Sequence, residues 1–106
     1  MNTVTIWIDA DSCPTLVRNH VVSYANKLNI EVKLVANKNI PMETTFPYQM
    51  IICNEEKDAA DIFILQNVKP YDLVITRDIV FADKLVTKEI HAINDRGTYF
   101  CKDNIK

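Results

Sequence analysis

With 106 residues, 48% of them hydrophobic and 25% charged, the chain has the make-up of one folded globular domain and leaves little room for a second. A net charge of −2 argues against tight, non-specific attachment to nucleic acid, and the single glycine, Gly97, excludes both a P-loop and a GxGxxG turn. No apolar run approaches the ~20 residues that span a bilayer, and Met1-Asn2-Thr3 lacks the basic stretch of a signal peptide, so a cytoplasmic protein without membrane partners is expected.

Taken in chain order, Val4 to Ile8 is rich in β-branched and aromatic residues and predicts a buried strand. Pro14 suits the first turn of a helix, and Val17, Val21, Tyr24 and Leu28 recur at helical spacing, which predicts a helix over 14–28. A second strand is expected from Ile30 to Ala36. The segment from Asn37 to Tyr48 carries Pro41 and Pro47 and reads as a loop. Met50–Cys53 is expected as a third strand, Asp58–Asn67 as a helix, Leu73–Thr76 as a fourth strand, Ile79–Lys88 as a helix and His91–Ile93 as a short fifth strand. Strands that alternate with helices imply an α/β fold with a mostly parallel sheet and right-handed crossovers. Cys13, Cys53 and Cys101 have no CxxC spacing and imply neither a disulfide framework nor a zinc ribbon. Cys53 reads as a buried thiol in an apolar run, and Cys13, beside the first aspartates, is a minor candidate nucleophile.

Ligands of open α/β sheets bind beyond the carboxyl ends of the strands, where the strand order reverses. The aspartates fall at those ends. Asp9 closes the first strand with Asp11 two residues on, Asp78 follows the fourth, and Asp58 and Asp61 share one face of the second helix. Crowded carboxylates repel one another and draw in a proton or a cation. Oxygen ligands of this kind suit Mg²⁺ or Mn²⁺, which can promote in-line displacement at phosphorus. Each aspartate also has an ordinary reading. Asp11 or Ser12 would cap the first helix, Asp78 the third, and Asp58 with Asp61 would make a capping box, each cap worth about 1 kcal/mol. Asp9 fits that reading least, because it ends a buried strand upstream of the cap position. Arg77 and Arg96 are candidates for phosphate contact or for charge pairing with the acids, and Asn37 for orienting a substrate or for a plain turn. Asp83 is expected on a solvated helix face, His20 packed on the first helix, His91 at the start of a strand and Trp7 in the core.

Ile6-Trp7-Ile8-Asp9-Ala10-Asp11-Ser12-Cys13-Pro14 resembles the opening motif of the YaiI/YqxD family of uncharacterised bacterial proteins. Val35-Ala36-Asn37, Asp58-Ala59-Ala60-Asp61, Asp72-Leu73-Val74-Ile75-Thr76-Arg77-Asp78-Ile79 and Asn94-Asp95-Arg96-Gly97 match its later motifs in order. The resemblance spans nearly the whole chain as a single domain, with a further helix expected beyond the point corresponding to Lys106. It implies a three-layer PIN-like fold, with a five-stranded, mostly parallel sheet flanked by helices, and by extension a metal-dependent ribonuclease. The implied metal ligands are Asp9, Asp58 or Asp61, and Asp78, with Asp11 as a further acid. Asp9, Asp61 and Asp78 are the implied catalytic set, and Arg96 matches the arginine of the terminal motif. In the loop after Asn37 only Lys38 is cationic, where relatives are expected to be more basic. The leading expectation is thus a Mg²⁺- or Mn²⁺-dependent phosphodiesterase acting on RNA. The stretch Asp9-Ala10-Asp11-Ser12 also resembles the first motif of haloacid-dehalogenase phosphatases, with Asp9 as nucleophile. A non-enzymatic binding module, in which the acids serve as caps, is the third reading.

Overall fold

Strand and helix alternate as β1 (Thr5–Asp9), a single 3-10 turn (Ala10–Ser12), α1 (Thr15–Lys27), β2 (Glu31–Ala36), β3 (Gln49–Ile52), α2 (Ala59–Asn67), β4 (Leu73–Ile75), α3 (Ile79–Thr87) and β5 (His91–Ile93). This is a computed structural model, and it describes residues 4–56 and 58–105. Met1-Asn2-Thr3, considered above as a signal sequence, lie outside the described residues, as does Lys106.

The five strands form one parallel sheet in the order β3-β2-β1-β4-β5. The chain walks outward from β1 through β2 to β3, returns past β1, and walks the other way through β4 to β5. A single hand of crossover then places connections on opposite faces in the two halves. The core follows this rule. Ile8, Leu34 and Ile75 turn to the face covered by α1, whereas Trp7, Val35, Val74 and Ala92 turn to the face covered by α2 and α3. The result is a three-layer α/β arrangement whose strand order reverses between β1 and β4.

The buried stripe of α1 differs from the expected one. Arg18, Val22 and Ala25 are buried, while Tyr24 and Leu28 are 56% and 58% exposed. The apolar stripe read from the sequence is rotated away from the sheet, so half of it faces outward. With one glycine in the chain, α1 and α3 are followed by Asn29 and Glu89 in the left-handed region, at φ 58° and 61°. That conformation at a helix end is normally glycine's. Gly97, at φ 84°, closes the turn after β5, where the Asn94 side-chain oxygen accepts from the Arg96 and Thr98 N–H groups.

Candidate functional site

At the carboxyl end of the sheet, beside the point of reversal, a pocket of about 210 Å³ is lined by Asp9, Asp11, Ser12, Asn37, Asp58, Ala60, Asp61 and Asp78. All five candidate metal ligands named from the sequence meet here. Arg77 and Arg96 are not in the lining. Arg77 pairs with Asp95 at 3.5 Å, and Arg96 is exposed on the turn after β5.

Asp9 is the last residue of β1 and is 5% exposed. By the alternation of a strand its side chain leaves on the same face as Trp7, toward α2. Its Oδ2 accepts from the Thr76 hydroxyl at 2.8 Å and from the Ser12 hydroxyl at 3.1 Å. Among the described residues Oδ1 has no hydrogen-bond partner. Burial raises the Asp9 pKa, the two hydroxyls oppose the rise, and Asp11 and Asp78 add to it. Asp61, on the first turn of α2, is pushed up to about 7, chiefly by burial and then by Asp9, Asp78 and Asp58. Lys84 opposes the shift. A carboxyl with that pKa is half-ionised near neutral pH.

The capping expectations divide. Asp78 does cap α3: its Oδ1 accepts from the Val80 and Phe81 N–H groups at 3.0 and 3.2 Å. Neither Asp11 nor Ser12 caps α1, whose cap position is Pro14. The 3-10 turn intervenes and turns both toward the pocket, where Asp11 Oδ2 accepts from the Asn37 N–H at 2.8 Å. The expected capping box at Asp58 is absent as well. Asp58 holds φ 64° in the left-handed region and its side chain makes no capping bond. An aspartate in that conformation costs on the order of 1 kcal/mol.

Sequence reading missed two contributors. Thr76 is fully buried and relays between the Asp78 N–H, which it accepts at 3.1 Å, and Asp9. A polar residue directly after the apolar run Leu73-Val74-Ile75 was its signal. Arg18 is 6% exposed and, among the described residues, has no carboxylate partner. It donates instead to the carbonyls of Ala10, Cys13 and Pro41 and to Thr15 Oγ1, and so braces the turn that carries Asp11 against the loop after β2. The spacing of Arg18, Val22 and Ala25 on one helix face was its signal. Asp72 proves structural. It lies at the opposite end of the sheet, where it accepts from the Thr5 and Lys69 N–H groups and the Trp7 indole N–H, each at 3.0 Å. Cys13 is buried, and burial pushes its thiol up to about 11, which leaves it a poor nucleophile. His20 is exposed rather than packed, with its ring 5.8 Å from that of Tyr24. Asn37 stands in the pocket wall, its side-chain Oδ1 buried without a hydrogen-bond partner.

Among the described residues, no three Asp, Glu, His or Cys side chains stand close enough to form a ready-made metal cage. The donor set itself is oxygen-only and anionic, the chemistry that Mg²⁺ and Mn²⁺ select, and both retain waters that span wide ligand spacings.

A family model described as "Uncharacterized BCR, YaiI/YqxD family" matches residues 7–106. A UPF0178 protein of Treponema denticola is 42% identical over 100 residues, which cover 94% of this chain and 63% of the relative. One from Photobacterium profundum is 42% identical over 101 residues, covering 95% and 67%, and one from a Nitratiruptor strain is 39% identical over 103 residues, covering 97% and 68%. No solved structure matches. The chain thus spans about two thirds of the length of these relatives. With the match running from β1 to the end of the described sheet and beyond, the chain belongs to the YaiI/YqxD family.

Proposed function

We propose that the protein is a Mg²⁺- or Mn²⁺-dependent phosphodiesterase that cleaves RNA. The observation that carries this reading is the gathering of Asp9, Asp11, Asp58, Asp61 and Asp78 around one pocket at the reversal point of the sheet. The relation to PIN-like ribonucleases that the family resemblance implies supplies the substrate class. Asp9, through Oδ1, and Asp78, through the oxygen not used in capping, would hold the cation, with Asp11 and Asp58 at the rim. A bound divalent cation supplies charge neutralisation for in-line displacement at phosphorus. Asp61, which lines the same pocket on the first turn of α2, is placed to accept the proton of the attacking water as the bond to the leaving oxygen breaks. Asn37, in the pocket wall, is placed to orient the substrate, and Ser12 and Thr76 hold Asp9 in one rotamer.

The test is cleavage of a labelled RNA oligonucleotide with Mn²⁺, by the wild type and by Asp61→Asn and Asp9→Asn. Removal of a general base costs roughly 10²–10⁴ in rate. A wild type that neither cleaves RNA nor gains thermal stability with millimolar metal would sink the reading. The haloacid-dehalogenase alternative needs Asp9 to present an oxygen as nucleophile. The deep burial of Asp9 and its doubly engaged Oδ2 support it less, and a beryllofluoride adduct on Asp9 would revive it.

A further inference from the structure

The two edges of the sheet are finished differently. Along β5 the chain doubles back. Tyr99 bridges Ile93 in antiparallel pairing, the Phe100 N–H donates to the Ala92 carbonyl at 2.9 Å, and the Asn94 N–H donates to the Thr98 carbonyl at 3.0 Å. Among the described residues nothing pairs with the outer side of β3. The Cys53 N–H donates inward, to the Ala36 carbonyl at 2.8 Å. By the alternation of a strand, the N–H and C=O groups of Met50 and Ile52 therefore point outward. Proteins blunt such edges with lysine, proline or a bulge. Gln49-Met50-Ile51-Ile52 contains neither residue, and its register with β2 is unbroken. Ile52 is 54% exposed and Ile62, on α2, is 51% exposed. Both line, with Ile51, a groove of about 520 Å³ between β3 and α2.

An edge of this kind fits itself. We infer that two copies of the chain join β3 to β3 in antiparallel pairing, about a two-fold axis through Ile51, so that two five-stranded sheets become one. That register sets Met50 of each copy opposite Ile52 of the other, and a hydrogen-bonded antiparallel pair exchanges both of its N–H···O=C bonds. The two pairs use every outward donor and acceptor of Met50 and Ile52. Charge agrees with the arrangement. Glu55 and Glu56 follow β3, whereas Thr44 to Tyr48 before it carry no charge, so the acids of each copy lie beside a neutral stretch of the other. Ile51 packs on the α2 face, where it meets its own copy and the two grooves join beside Ile62 of each helix. Both outer edges of the double sheet are then β5, already closed, so assembly stops at two. The aspartate pockets fall at opposite ends of the double sheet, and both stay open.

The test is sedimentation of the 106-residue chain over a concentration series, with amide exchange followed by NMR. A dimer of micromolar Kd is expected, and the Met50 and Ile52 amides should exchange more slowly as concentration rises. Ile52→Lys, at an exposed position, should weaken dimerisation at least tenfold and leave the unfolding of the dilute chain unaltered. Leu16→Lys, 82% exposed on α1, should leave the dimer intact. In a background of Cys53→Ser and Cys101→Ser, Ile51→Cys should oxidise to a linked dimer and Gln49→Cys should not, because only position 51 meets its own copy. That pair keeps the register testable should the lysine variant fold poorly. A chain that stays monomeric up to millimolar concentration overturns the inference. So does a dimer that either ignores Ile52→Lys or fails to link through Ile51→Cys, because its interface then lies elsewhere.

Discussion

The two ends of the sheet each bury an aspartate, and they treat it in opposite ways. At the amino end, Asp72 is 2% exposed and its two oxygens take three N–H donors, from Thr5, Trp7 and Lys69. It ties β1 to the entry of β4, and no further ligand is needed. At the carboxyl end, Asp9 is nearly as buried, yet both of its hydrogen bonds fall on one oxygen and its other neighbours are acids. A carboxylate saturated with donors is a structural element. One left short of donors among like charges is a site that a proton or a cation completes.

The largest effect should come from the saturated end. Asp72→Ala strands three donors beside the core and should cost about 3–4 kcal/mol, seen as a fall of roughly 15 °C or more in the unfolding midpoint. Asp9→Asn, measured in EDTA, should lie within about 1 kcal/mol of the wild type, because the lost charge was itself opposed by its surroundings. Equal losses for the two variants would break the comparison.

Next in size is the response to metal. At ten times Kd, one cation that binds only the folded state adds about 1.4 kcal/mol, a rise of roughly 5–10 °C for a domain of this size. Mn²⁺ titration should show that rise in the wild type and in Asp83→Asn, an exposed control on α3, and lose it in Asp9→Asn and Asp78→Asn. A rise that survives in both site variants would place the binding elsewhere.

The fold and the acidic cluster were legible in the sequence, whereas the contrast with Asp72 was not, and for a physical reason. The expected elements agree with the observed ones to within a residue or so, because alternating buried strands and amphipathic helices carry strong periodic signals. The meeting of Asp9 and Asp78 followed from topology, since β1 and β4 are neighbours, Asp9 ends β1 and Asp78 follows β4. Which acids would also cap was hidden. Capping depends on whether the chain enters the helix directly, as at Asp78, or through an intervening turn, as at Asp11 and Ser12. Asp72 sat inside a matched motif with nothing local to mark it as structural, because its partners Thr5 and Trp7 lie more than sixty residues away. Arg18 was marked only by sharing a helix face with Val22 and Ala25, because its acceptors are carbonyls, which every residue has.

A further effect follows from pH. The folded state raises the pKa of Asp61 from 3.8 to about 7 and shifts Asp9 in the same direction. Between those values the folded chain holds a proton that the unfolded chain has released, so stability falls as pH rises from about 4 through 7. Metal-free unfolding midpoints should therefore be higher at pH 5 than at pH 8, and Asp61→Asn should flatten the difference. Added Mn²⁺ competes with that proton, so its stabilisation should be greater at pH 8 than at pH 5. A midpoint that instead climbs with pH would mean that folding does not raise the pKa of the pocket carboxylates.

The smallest effect sharpens the comparison at one backbone position. Asp58 is held left-handed at φ 64° without the capping bond that an aspartate at a helix start normally makes. Glycine adopts that conformation freely but loses more entropy on folding, so Asp58→Gly should gain about 0.5 kcal/mol net, a rise of roughly 2–4 °C in EDTA. The same substitution removes one carboxylate from the pocket rim and should shrink the Mn²⁺-induced rise. Stability gained together with metal response lost is the signature of a residue kept for its ligand rather than for its helix. Should Asp58→Gly lower the midpoint and leave the metal response intact, Asp58 belongs with Asp72 among the structural acids, and the site contracts to Asp9, Asp11, Asp61 and Asp78.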